Sequence, residues 1–165
     1  MKTLLIMRHA KSSWDDAKMS DFERPLNERG LRTAPLMGEI INQKRLQPEL
    51  ILSSPAERAK QTAQFVRESA QIKSEIVFNE KIYEASVGRL LEVIGKQPES
   101  VESILLIGHN PGLEGLVKFT TGELHAMPTA ALAIVDLQIN KWSDITASKG
   151  DLRDLIRPKE INGKW

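Results

Sequence analysis

Three short segments of this 165-residue chain carry residues able to handle a phosphoryl group. They are Arg8 and His9 in Met7-Arg8-His9-Ala10, Arg58 in Ser54-Pro55-Ala56-Glu57-Arg58, and His109 in Gly108-His109-Asn110-Pro111-Gly112. Phosphoryl transfer spreads charge over three equatorial oxygens, which fixed cations and donors must hold. Arginine suits the task because its planar fork meets two oxygens at once and keeps its charge. A nucleophile must also stand in line with the leaving group. The chain has no cysteine, which excludes thiol phosphatase and thiol protease mechanisms, and it has no D-x-D-x-T sequence. A neutral histidine nitrogen, nucleophilic near pH 7, is then the best candidate.

Such a constellation needs elements that bring its parts together. Thr3–Met7 is a short apolar run with β-branched residues and reads as a buried strand. A helix is expected over Asn27–Arg45, with Leu31, Ala34, Met37 and Ile41 on one face, and Pro35 either kinks it or marks its first turn. Leu50–Leu52 is a second buried strand. Ser54, Pro55 and Glu57 then have the spacing of a capping box, opening a helix to about Ala70. A strand over Glu75–Phe78, a short helix over Val87–Ile94, a strand over Ser103–Ile107 and a helix to about Thr120 follow. Leu132–Leu137 and Trp142–Thr146 read as a hairpin around Asn140-Lys141, and the charged tail after Gly150 as loosely packed surface. Arg153, Arg157, Lys159 and Lys164 of that tail read as a solvated face. Alternating strands and helices predict an α/β three-layer sandwich with a mainly parallel central sheet, in one domain over residues 1–165. In such sheets ligands bind beyond the carboxyl ends of the strands, where all three chemical segments fall.

Composition narrows the classes. With 23 Lys+Arg against 22 Asp+Glu the formal charge is +1, which does not suit a nucleic-acid partner. No apolar run reaches the ~20 residues of a membrane helix, and the N-terminus lacks a signal-peptide pattern, so a cytoplasmic location is expected. His9, His109 and His125 lack the spacing of common zinc sites, and no metal or other cofactor is expected. Ser53 and Ser54 lack a G-x-S-x-G elbow, so Ser54 reads as a helix cap. His125 reads as a loop residue, and Trp14 as either a pocket flank or a core cover.

Taken in order, Met7-Arg8-His9-Ala10, Ser53-Ser54-Pro55-Ala56-Glu57-Arg58-Ala59-Lys60-Gln61-Thr62 and Gly108-His109-Asn110-Pro111-Gly112 resemble the histidine phosphatase superfamily, with its phosphoglycerate mutase-like fold. Within it, the short chain and the segment Asp21-Phe22-Glu23-Arg24-Pro25-Leu26-Asn27-Glu28-Arg29-Gly30 resemble the SixA-type phosphohistidine phosphatases. The resemblance implies that His9 is the nucleophile that becomes phosphorylated. It implies that Arg8 and Arg58 clamp the phosphoryl oxygens, that His109 donates to the transferred group, and that Ser12 and the backbone N–H of Asn110 add contacts. Asp15 stands where many relatives carry an asparagine that touches phosphate, but a carboxylate there would repel it. Glu84 matches the place of the family's general acid, whose help matters most for poor leaving groups. Arg24 is a candidate for a peripheral role beside the phosphate.

The resemblance points to a phosphatase without cofactor, acting on phosphohistidine of a histidine-containing phosphotransfer-type protein. Little chain separates Arg58 from His109, whereas larger relatives carry inserted lids, so an open site within reach of a folded protein is expected. The alternatives are a phosphomonoesterase for a small phosphate ester, a non-catalytic phosphate-binding module, and a mutase. The last two fit less well, since all four central residues are kept and no enclosing segment is evident.

Overall fold

The computed structural model describes residues 1–161; Lys164 lies outside the described residues. Six strands form one sheet: β1 (Lys2–Arg8), β2 (Leu50–Ser53), β3 (Ile76–Phe78), β4 (Ser103–Gly108), β5 (Leu132–Leu137) and β6 (Gly150–Ile156). They lie in the order β3-β2-β4-β1-β5-β6. The β3–β2, β2–β4 and β4–β1 pairings are parallel, while β1–β5 and β5–β6 are antiparallel. Four helices cover the faces: α1 (Glu28–Gln43), α2 (Glu57–Ser69), α3 (Val87–Gly95) and α4 (Gly112–Thr121).

The layering follows from strand alternation. Leu4 and Ile6 of β1 turn to one face, where they join Leu90, Val93 and Ile94 of α3 and Leu113, Leu116 and Val117 of α4. Leu5 and Met7 turn to the other, against Ala34, Met37 and Ile41 of α1 and Ala59, Ala63 and Val66 of α2. A strand buried on both faces reads as a continuous apolar run. That is why β1, β2 and β4 are visible in the sequence.

Several boundaries differ from the sequence reading. The helix α1 runs through Pro35, and Leu31 is 43% exposed rather than on the buried face with Ala34, Met37 and Ile41. The partner of β5 is β6, not Trp142–Thr146. Trp142 instead opens a single 3-10 turn, is buried, and donates from Nε1 to the carbonyl of Val101 at 2.8 Å. The strand β6 escaped notice because it is a half-exposed edge strand with charged residues facing out, a common protection of edges. Arg153 of β6 pairs across the sheet with Asp136 of β5 at 2.6 Å, so it is not simply a solvated side chain.

The capping box before α2 does not form either. The chain stays extended past β2, the N-cap position falls on Ala56 without a side-chain cap, and α2 begins at Glu57. Ser54 is thereby released for another partner.

The loop after β1 is tied to the start of α1. Asn27 caps that helix by accepting from Gly30 N at 2.9 Å, and its own N–H donates to the carbonyl of Lys11 at 3.0 Å. A Cβ on Gly30 would run into that same carbonyl, so the close approach requires glycine.

Candidate active site

Register alone brings the chemical segments together. Arg8 is paired with Gly108 across β1–β4, and Ser53 with Ile107 across β2–β4. The next residues, His9, His109 and Ser54, therefore leave three adjacent strand ends side by side. The backbone continues the pairing, with His9 N donating to Gly108 O at 3.1 Å and Ser54 N to Ile107 O at 3.0 Å. The rings of His9 and His109 lie 5.0 Å apart between centroids.

His9 is buried, and its Nδ1 lies 2.7 Å from the carbonyl of Ala10. A carbonyl only accepts, so Nδ1 carries the proton and Nε2 keeps the lone pair. Burial lowers the pKa of His9 to about 3. The bond to Ala10 opposes this, while His109, Arg58 and Arg8 lower the pKa further. The ring is neutral at pH 7, with Nε2 as the nitrogen able to attack.

Nε2 of His109 lies 2.8 Å from the hydroxyl of Ser54, which also accepts from Ala56 N at 3.2 Å. The hydroxyl has one proton to give and, among the described residues, no acceptor for it other than Nε2; donating there puts the ring proton on Nδ1. That Nδ1 is buried and otherwise without a hydrogen-bond partner. Burial first, then Arg58, lower the pKa of His109 to about 4. It is thus suited to act as a neutral donor.

Arg58, in the first turn of α2, is buried and held by Asp21: Nη1 donates to the Asp21 carbonyl at 2.6 Å and Nη2 to its Oδ2 at 3.0 Å. The Arg58 Nε is buried and unpartnered. Asp21 also receives Nε and Nη2 of Arg24 at 3.2 and 2.9 Å, and the Tyr83 hydroxyl at 2.5 Å. Burial opposes the Asp21 charge, but these bonds from Tyr83, Arg24 and Arg58 outweigh it and hold the carboxyl well below its ordinary range. Burial and the bond to Asp21 push the Tyr83 phenol up to about 12, so it remains a donor. The Tyr83 ring stands edge-on to His109, with centroids 5.4 Å apart.

A cavity of about 210 Å³ opens among these groups. Arg8, His9, Arg58 and His109 line it together, as do Ser12 and Asn110. Ser12 has its hydroxyl engaged by Arg24 at 2.7 Å, and Asn110 donates its side-chain amide to Met127 O at 2.8 Å. Lys11, Trp14, Arg24 and Thr129 complete the wall, which carries four cations and no carboxylate among the described residues. The Arg24 guanidinium lies 3.5 Å from the Trp14 ring centre, a cation–π contact at the rim. Glu84, Asp15 and His125 are not in this wall. Glu84 is exposed and has a left-handed backbone, φ 52°. Among the described residues no group of three or more His, Cys, Asp or Glu is placed to hold a metal ion, and no helix is long and apolar enough to cross a membrane.

Sequence reasoning passed over Asp21, Tyr83, Lys11 and the second role of Ser54. The signal for Asp21 was its i,i+3 spacing from Arg24, but its longer links to Arg58 and Tyr83 depend on the fold.

The ends of two parallel strands and the first turn of α2 bring two histidines and two arginines around one cavity, an arrangement suited to a phosphoryl group. Residues 4–105 match the histidine phosphatase superfamily (branch 1). The chain belongs to that superfamily and is of its SixA type, with the phosphoglycerate mutase-like fold. It is 32% identical to a protein of Agrobacterium tumefaciens assigned as the phosphohistidine phosphatase SixA, with a TM-score of 0.83 over 95% of this chain and 98% of that one. It is 28% identical to a protein histidine phosphatase SixA solved with tungstate, with a TM-score of 0.81 over 94% and 97% of the two chains. An Escherichia coli protein assigned as an alpha-ribazole-5'-P phosphatase shares the fold at 16% identity, with a TM-score of 0.69 over 95% and 98% of the two chains. Membership makes the chain a phosphatase.

Proposed function

We propose that the chain removes phosphate from phosphohistidine on a protein, through a phosphorylated His9 and without a metal ion or other cofactor. The observation that carries this reading is the fixed state of His9: Nδ1 is committed to Ala10, the ring is neutral, and Nε2 is left among Arg8, Arg58 and His109. In the first step Nε2 of His9 forms a bond to phosphorus as the P–N bond of the substrate breaks. Arg8 and Arg58 hold the equatorial oxygens, and Nδ1–H of His109 donates to one of them. The leaving imidazole departs neutral when its other nitrogen was already protonated. In the second step water attacks phospho-His9, the His9–phosphorus bond breaks, and inorganic phosphate leaves while Nε2 regains its lone pair. The arginines supply the charge that a divalent ion would otherwise bring.

Two features favour a protein substrate with this leaving group. Among the described residues the cavity wall holds no carboxylic acid to protonate an alkoxide, and an imidazole already protonated at its other nitrogen does not need one. Exposed apolar side chains, Trp14 at 71% and Phe22 at 40%, stand on the loop that also supplies Arg24 and Asp21, as a protein-contacting rim would require.

Turnover of a phosphorylated histidine-containing phosphotransfer domain, measured beside a panel of sugar and nucleotide phosphates, tests the substrate. Turnover of the phosphoprotein should exceed that of every small ester, in the presence of chelator, and acid-labile phosphate should be trapped on His9. A small ester turned over more efficiently would replace the protein reading, and loss of activity with chelator would refute the metal-free mechanism.

A further inference from the structure

Asp21 holds Arg58 from behind the cavity wall, through a direct ion pair at 3.0 Å. Arg8, the second arginine of the proposed clamp, has no direct ion pair among the described residues. Its Nη1 donates instead to the carbonyl of Met127 at 3.2 Å, and its Nε is buried without a partner. The hold on Arg8 is therefore only as firm as the backbone at Met127.

Met127 is fully buried in the irregular segment between α4 and β5. Buried backbone groups outside a helix or a sheet ladder need other partners. The Met127 carbonyl accepts from Arg8 and, at 2.8 Å, from the side-chain amide of Asn110, the residue after His109. The Met127 N–H donates to Oε2 of Glu114 at 2.7 Å. Glu114 is half-buried in the first turn of α4. One backbone residue thus joins the end of β1, the turn after β4 and the start of α4.

The placement of charge follows the same line. Burial lowers the pKa of Arg8, the Glu114 carboxylate opposes that, and Arg58 adds to the lowering. Glu114 supplies its negative charge from outside the cavity wall. A carboxylate inside the wall would repel the phosphoryl oxygens. An acid in the first turn of a helix also suits the helix dipole, but that purpose needs no bond to a residue 13 positions on.

We propose that Glu114 is a positioning residue for Arg8: by holding the Met127 N–H it sets the carbonyl on which the guanidinium rests, and so the place where Arg8 meets an oxyanion. The inference rests on the reading of Arg8 as an arm of the phosphoryl clamp. Glu114 itself touches no substrate, and its effect on anion binding passes through Arg8.

The test is a double-mutant cycle in the affinity for inorganic tungstate, a tetrahedral oxyanion, measured by titration calorimetry. Arg8→Ala leaves Arg58 and His109 around the anion and should weaken binding by about tenfold or more. Glu114→Ala should weaken it by about tenfold in the otherwise wild-type protein. Glu114→Gln, which keeps an acceptor for the Met127 N–H, should cost only about threefold. Added to Arg8→Ala, neither change should weaken binding further. A loss as large in the Arg8→Ala background as in the wild type would overturn the proposal, since Glu114 would then act on the fold at large. Glu114→Gln as harmful as Glu114→Ala would overturn the route through the Met127 N–H. Should Glu114→Ala fail to fold, the cycle is read with Glu114→Gln: its loss must vanish in the same way, and no loss overturns the proposal. Unchanged affinity in Arg8→Ala would refute the clamp reading, whereas a loss there with none in Glu114→Ala would refute the positioning role alone.

Discussion

The hydroxyl of Ser54 lies 2.8 Å from Nε2 of His109, at the end of a strand whose neighbour ends in His109 itself. This contact couples the direction of the hydroxyl to the choice of the ring nitrogen that carries the proton. With Ser54 donating, Nδ1–H is free to meet a phosphoryl oxygen. Without it, the proton can move to Nε2 and leave a lone pair facing the substrate. Ser54→Ala is expected to lower kcat by about tenfold to a hundredfold, less than the ~10²–10³ that outright loss of a transition-state donor costs, with a smaller change in KM. Ser54→Thr keeps the hydroxyl and should recover most of the rate. A Ser54→Ala enzyme with unchanged kcat would remove the tautomer argument.

Asp21 holds Arg58, Arg24 and Tyr83 at once, yet contributes nothing to the cavity wall. It fixes both Nη atoms of the Arg58 fork and leaves Nε buried without a hydrogen-bond partner. A small displacement of a positioning group can cost about a hundredfold. Asp21→Ala is therefore expected to reduce kcat/KM on every phosphate substrate by a similar large factor. Asp21→Asn, which keeps an acceptor, should restore part of it. A loss confined to one substrate would mean that Asp21 contacts the leaving group instead.

The sheet, its helices and the quartet at its edge were legible because each had a local signature. The strands buried on both faces are unbroken apolar runs; Arg8, His9 and His109 sit at the ends of two of them, and Arg58 opens the helix that follows a third. What escaped notice lacked such a signature. The edge strand β6 alternates charged and apolar residues, so it resembles surface chain, while Trp142 attracts attention as apolar but fills the core from a single turn. Ser54 has every local mark of a helix cap, and only the register of β2 against β4 reveals its bond to His109. Asp21 joins residues 37 and 62 positions away, which no spacing rule would pair.

The two lowered histidine pKa values bear on stability. In the folded protein His9 titrates at about 3 and His109 at about 4, against an ordinary 6.5 in the unfolded chain. Below pH 6.5 the unfolded state therefore binds more protons, and stability falls as pH drops from 6.5 toward 4. From about pH 8 upward these rings are neutral in both states and contribute no slope. Denaturant midpoints measured from pH 7.5 down to 5 should show this decline, in a range where the strongly acidic Asp21 carboxyl does not yet titrate in either state to a comparable extent. The double variant His9→Gln/His109→Gln should flatten it. An undiminished slope in that variant would assign the effect to other groups.

The last expectation separates Glu84 from His9. Glu84 is exposed and stands outside the cavity wall, although it occupies the place that the family resemblance gives to a general acid. On phosphohistidine the leaving imidazole needs no acid, so Glu84→Gln should change kcat by less than about threefold, against the 10²–10⁴ that general-acid help is worth where it is needed. An alkyl phosphate, whose alkoxide must be protonated, is the substrate on which a Glu84 proton would register. A loss of about a hundredfold there, with phosphohistidine and aryl phosphate spared, would assign the acid role to Glu84. An equal loss on all three would make it a structural residue of the turn after Tyr83. His9→Ala serves as the reference in the same assay. Removing the nucleophile should abolish turnover of every substrate by several orders of magnitude, and near-normal turnover in that variant would refute the phospho-His9 intermediate.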